Sequence, residues 1–65
     1  MTQNIAKAVE QVQYVYNQAM LCKADGNVDG EYMWISEGIG LMNMFHILTG
    51  DYISIEDGVA VHLHG

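Results

Sequence analysis

The chain has 65 residues, half of them apolar, and sets eight carboxylates against two lysines for a net charge of −6. A chain of that length makes one small domain, which buries only about 60% of the surface its unfolded form exposes. The charge argues against direct binding to nucleic acid or an anionic membrane, since both need clustered Lys and Arg, and a single cysteine, Cys22, excludes an intramolecular disulfide.

The first element is a helix over about 3–24. Ile5, Val9, Val12, Tyr16, Ala19 and Lys23 recur at helical spacing, Val15 and Cys22 widen the stripe, and glutamines with Lys7 and Glu10 fill the other faces. Tyr14 falls off the main stripe, as an exposed contact would. Cys22 on an apolar helical face reads as a buried thiol in a reducing compartment. With no basic-then-apolar leader in view, the expected location is cytoplasmic.

Asp25-Gly26-Asn27-Val28-Asp29-Gly30 is turn chemistry. Asp29 is the expected cap of the next helix, with Glu31 in its first turn, where a carboxylate suits the helix dipole. A short connection of this kind makes the two helices antiparallel neighbours.

The second helix, about 31–48, is the most apolar stretch of the chain. Ile35, Ile39, Met42 and Phe45 form one face and Trp34, Leu41, Met44 and Leu48 a second. Ser36, Gly40 and Asn43, flanked by Glu37, leave a narrow strip for water. Glu37, Asn43 and His46 interrupt it too often for a membrane span. Gly38 and Gly40 either admit another backbone closely or mark a break.

Thr49-Gly50-Asp51 ends that helix, with Gly50 as a left-handed cap. A hairpin over about 52–63 follows. Two registers are open. A two-residue Asp57-Gly58 turn pairs Ile55 with Ala60 and Ile53 with His62. A three-residue Glu56-Asp57-Gly58 turn places Ile53, Ile55, Val59, Val61 and Leu63 on one face. A one-residue slip inverts every side chain, so burial favours the second register, with Tyr52, Ser54, Ala60, His62 and His64 facing outward. The fold class is therefore α+β, one domain over 1–65, with a helix–turn–helix pair packed on one face of a C-terminal two-stranded hairpin (α-α-β-β).

Residues 25–36 resemble an EF-hand calcium loop. Asp25, Asn27 and Asp29 take the first, third and fifth places and Gly30 the sixth. The pattern departs at the ninth place, Met33, and at the twelfth, Ser36, with a glutamate one residue late at Glu37. The resemblance implies Asp25, Asn27 and Asp29 as calcium ligands; the plain alternative is a capped helical connection. Ala24–Asp29 is also similar to the turn of tellurite-resistance-type helical proteins, over six residues.

His62 and His64, two apart on a strand, share one face and make a usable metal pair. A pair by itself does not make a tetrahedral site, so they read as a polar outer face. Cys22 has no base beside it, the carboxylates form no evident acid–base pair, and no glycine-rich phosphate loop joins a strand to a helix. No cofactor is implied. The expectation is a non-enzyme: a small acidic interaction protein that associates with itself and with a protein of basic surface. Inhibitors of host proteins carried by phages share this type. Tyr14, Trp34, Met44, Glu37, Glu56 and Asp57 are the expected contact residues. The rival reading is an oligomeric module that sequesters a small ligand between subunits, lined by Trp34, Tyr14, Tyr16, Asn43 and His46.

Self-association follows from the arithmetic of covering the second helix. The first helix covers one stripe and the hairpin another, so some of Trp34, Leu41, Met44 and Leu48 remain for a second copy.

Overall fold

The computed structural model describes residues 2–65, with side chains from Asn4 onward. Its elements are α1 (Thr2–Ala24), α2 (Val28–Thr49), β1 (Tyr52–Glu56) and β2 (Val59–Leu63). The strands form a two-stranded antiparallel sheet. This is the expected order of two helices followed by a hairpin, a small compact α+β domain. The helices pack along each other, with α1 also against β2 and α2 against β1.

The core sits where the three layers meet. Val12 of α1, Phe45 of α2, Ile53 of β1 and Ala60 of β2 are buried together, with Ile5, Ala8, Val9, Leu41, Met42 and Ile55 packed around them. Val15 and Ala19 continue the buried stripe of α1 up to α2. At that crossing Gly38 has no side chain to hold the helices apart: a Cβ there would meet Val15 Cγ1 at 3.3 Å. Of the two expectations for Gly38, close approach is the one realised. The helix runs through both Gly38 and Gly40 without a break.

The interhelical connection is shorter than expected. α2 begins at Val28, three residues before the expected boundary, and its cap is Asn27, not Asp29. The Asn27 side-chain oxygen accepts the Gly30 N–H at 3.0 Å. Asn27 wins because it stands three places before an N–H that its side chain can reach. Asp29 and Glu31 lie in the first turn, where their charge favours the helix dipole. Gly30 fits this corner for a steric reason, since a Cβ would lie 2.9 Å from Cys22 Sγ and closer still to Asn27. At the other end Gly50 is left-handed (φ 77°) and donates its N–H to the His46 carbonyl, as expected.

The hairpin register is the one set aside on burial grounds. Ile55 pairs with Ala60 and Ile53 with His62, across a two-residue turn. Asp57 and Gly58 both have positive φ, 53° and 81°, as a type I′ turn requires, and the twist of that turn matches the strands. Two further contacts favour this register. The Gln13 amide bridges the free edge of β2, its nitrogen donating to the Gly58 carbonyl (3.0 Å) and its oxygen accepting the Ala60 N–H (2.7 Å). Small Ala60, turned inward, lets α1 approach the sheet. Consequently Ile53, Ile55, Ala60 and His62 face the helices, while Val59, Val61 and Leu63 share the outer face with Tyr52 and Ser54. Val59 and Leu63 are exposed there, so local turn and edge chemistry outweighed the burial of three apolar side chains.

Candidate functional site

Two regions carry side chains beyond the needs of the fold. The first is the surface of α2. Of its 22 residues Gly38 and Phe45 are the ones buried. Trp34, Leu41 and Met42 are half-buried beside them, which centres the packed face between the two expected stripes. Apolar side chains are left on both flanks. Tyr32, Ile35 and Ile39 stand on one side; Met33, Met44 and Leu48 on the other, with Ile47 on the back. Met44, Leu48 and Ile47 are 53%, 75% and 73% exposed.

The total surface is 4615 Å², against about 4100 Å² from the mass scaling of folded monomers. The excess counts polar and apolar area together and accompanies an elongated shape of 37 × 19 × 17 Å.

The expected contact residues distribute as follows. Tyr14 and Trp34 meet edge to face, ring centroids 6.0 Å apart, across the α1–α2 seam; the Tyr14 hydroxyl accepts the Gln18 amide. By helical spacing Glu37 lies on the Met44 flank of α2, and both are exposed. Glu56 and Asp57 are exposed at the hairpin turn, a separate part of the surface.

A shallow groove of about 90 Å³ runs between α1, α2 and β1. Val12, Val15, Tyr16, Ala19, Trp34, Ile35, Gly38, Ile39, Met42 and Ile55 line it. Trp34 and Tyr16 of the suggested ligand-lining residues belong to it; Tyr14, Asn43 and His46 do not.

The Asp25 segment is a three-residue connection, 25–27, because Val28–Gly30 is already helix. The extended twelve-residue EF-hand loop is not formed, and the Asn27 oxygen is engaged by Gly30 N–H. Cys22 is half-buried, with the Asn27 amide 4.0 Å from its sulfur.

The second region is the open end of the hairpin, where Asp51, His62 and His64 converge. Asp51 Oδ2 lies 2.7 Å from His62 Nε2 and 3.5 Å from His64 Nδ1. Its other oxygen accepts the Gly65 N–H at 3.1 Å, and its own N–H donates to Thr49 Oγ1 at 3.0 Å. The Asp51 carbonyl lies 3.2 Å from His46 Nδ1, and the His46 ring stacks on Tyr52 with centroids 4.3 Å apart. His62 is packed edge-on against Phe45 and against the His64 ring. The hydrogen bond from His62, then that from Gly65 N–H, holds the Asp51 carboxyl below its usual range.

His62 was expected on an outer polar face. It faces inward because the register is the two-residue one, and the same register draws Asp51 into the group. Asp51 and Gln13 are the residues sequence reasoning missed. The register Tyr52–Leu63 sets Asp51 opposite His64 and diagonal to His62, so Asp51 was legible once that pairing was chosen. Gln13 had no sequence signal.

No protein-family model, curated protein or solved structure matches this chain. No helix among the described residues is long and apolar enough to cross a membrane.

Proposed function

We propose that this chain is a small acidic interaction protein that assembles with itself and acts by binding another protein, without catalysis of its own. The observation that carries the reading is the exposure of α2. The most apolar helix has two buried residues and leaves apolar side chains on both flanks. A second copy laid on the Met44–Leu48 flank would cover one of them. The outward Val59, Val61 and Leu63 give the sheet a further apolar face to cover.

The charge supports the choice of partner. Glu37 stands on the same flank as Met44, and Glu56 and Asp57 project at the hairpin turn. Among the described residues no lysine lies within 4.0 Å of a carboxylate, so these charges are free to steer toward a basic surface. A cytoplasmic inhibitor, of the type phages direct at host proteins, is the role that suits such a chain.

The groove supports a different reading, a module that sequesters a small ligand. Its volume of about 90 Å³ falls well below the ~300 Å³ at the lower end of small-molecule sites. A second subunit would have to supply the remaining walls, so this reading too depends on assembly.

Native mass spectrometry of the purified chain, paired with capture from lysate at low and high salt, tests the proposal. The expected result is a ligand-free oligomer that retains a stoichiometric protein partner at low salt and loses it at high salt. A small molecule retained at one per chain or per dimer would replace the proposal with its rival. No partner at either salt concentration would overturn it.

A further inference from the structure

We propose that Asp51, His62 and His64 form a binding site for a divalent transition-metal ion of the zinc class, one carboxylate oxygen and two imidazole nitrogens being the ligands. The inference is independent of the interaction role above.

The geometry is close to what such an ion needs. The three ligand atoms lie within 4.8 Å of one another. Four-coordinate zinc, with bonds of about 2.0–2.1 Å, sets its ligand atoms about 3.3 Å apart. The His64–Asp51 separation of 3.5 Å already matches. The His62–Asp51 separation of 2.7 Å is that of a hydrogen bond and would open by about 0.6 Å on that standard. His64, 86% exposed, is free to complete the set by side-chain rotation. The backbone already brings the groups together: the register continued one step past the last pair, Tyr52–Leu63, sets Asp51 opposite His64, and the two histidines lie two residues apart on one face.

The surroundings suit a metal. Gly65 N–H fixes Asp51 Oδ1 and leaves Oδ2 to the ion. Thr49 Oγ1 accepts from the Asp51 N–H and donates to the Phe45 carbonyl. The Phe45 ring walls one side of His62. Outer contacts of this kind orient ligands and raise affinity. Two imidazoles select zinc, copper, nickel or cobalt over calcium and magnesium, which prefer all-oxygen sites. A net charge of −6 on the chain attracts any cation.

Against a carboxylate acceptor, His62 Nε2 carries the proton. To bind the ion through Nε2 the neutral ring moves that proton to Nδ1, a change of tautomer, and protons compete with the ion for both imidazoles, so binding weakens as pH falls. Three protein ligands leave at least one position for water. The ion would also tie the end of β2 to the α2–β1 junction and close the hairpin at the end opposite its turn.

The test is titration of the untagged full chain with zinc chloride by calorimetry, and with cobalt chloride by visible absorption. One ion per chain is expected, with a dissociation constant on the order of micromolar, and with the intense visible bands of low-coordinate cobalt. Amide shifts should be confined to residues 49–65. His64→Gln and Asp51→Asn should each weaken binding by about tenfold or more, and Cys22→Ser should leave it unchanged. His64 is exposed, so His64→Gln retains the native circular dichroism and decides the matter even if Asp51→Asn fails to fold. No binding at millimolar zinc, or equal affinity in His64→Gln, overturns the proposal.

Discussion

The two helices are nearly equal in length, 23 and 22 residues, and they use their side chains differently. α1 is diluted by glutamines and lysines, yet it places Val12, Val15 and Ala19 in the interior. α2 is far more apolar and contributes Phe45, together with a glycine. A helix that packs on a single layer can bury one stripe, whatever the rest of its surface carries. The modest stripe of α1 matches what one chain can cover. The excess on α2 exceeds it, and that excess is the observation behind the proposed self-assembly.

The comparison breaks most readily at the side chain that both halves of the domain share. Phe45→Ala empties the centre of the core between Val12, Ile53 and Ala60. A loss of about 3–5 kcal/mol is expected, most of the stability a domain of this size has. Urea denaturation by circular dichroism should show no folded baseline at 25 °C. A normal transition would mean that α2 is held by something other than its one buried side chain.

Next come the flanks of α2. Leu48→Glu and Met44→Glu add a charge where the chain itself places little contact. Self-association should weaken at least about tenfold, equivalent to 1.4 kcal/mol, with the urea midpoint of the dilute monomer unchanged. Trp34→Glu should damage folding as well, because Trp34 is half-buried and packed on Tyr14. Equal behaviour of all three in dilution series would erase the distinction between core and flank.

A smaller effect belongs to α1. Gln13→Ala removes both hydrogen bonds that hold β2 and should cost about 1–2 kcal/mol. Amide exchange at Ala60 should accelerate while that at Glu56 and Val59, paired across the hairpin, changes less. Unchanged exchange at Ala60 would show that the edge does not depend on α1.

The smallest effect is one of pH. Hydrogen bonds from His62 and Gly65 lower the Asp51 pKa in the folded state. Its contribution to stability is therefore present above the unfolded carboxylate value near 3.8 and is lost as pH falls through the lower folded value. Urea midpoints between pH 5 and the acid limit of folding should fall less steeply in Asp51→Asn than in the parent chain. Parallel curves would mean that the contact with His62 makes no net contribution.

Much of this fold was legible in the chain. Both helices follow from apolar spacing and the Gly50 cap from its place after the last turn. The hairpin follows from alternation around Asp57-Gly58. The errors have particular causes. Asp29 is as good a cap by type as Asn27, and what decides is Gly30, whose missing side chain leaves room for Asn27 to fold back. The hairpin register was weighed chiefly by burial, and that criterion assumes that a single chain satisfies its own apolar faces. Here the type I′ turn and the Gln13 bridge, a contact spanning 47 residues, outweigh it. The same choice hid the Asp51–His62–His64 group, because the other register turns His62 away from Asp51. The outward Val59 and Leu63 repeat at the sheet what α2 shows at the helix: apolar side chains that the chain itself leaves exposed and that the proposed assembly would cover.

Light scattering coupled to size exclusion, on the untagged chain at micromolar concentration and over a tenfold dilution, measures that cover directly. The account predicts at least twice the chain mass of 7.2 kDa, falling toward 7.2 kDa in Leu48→Glu. A cooperative, well-folded monomer that does not change with dilution would contradict it, and would mean that α2 carries its apolar flanks in water.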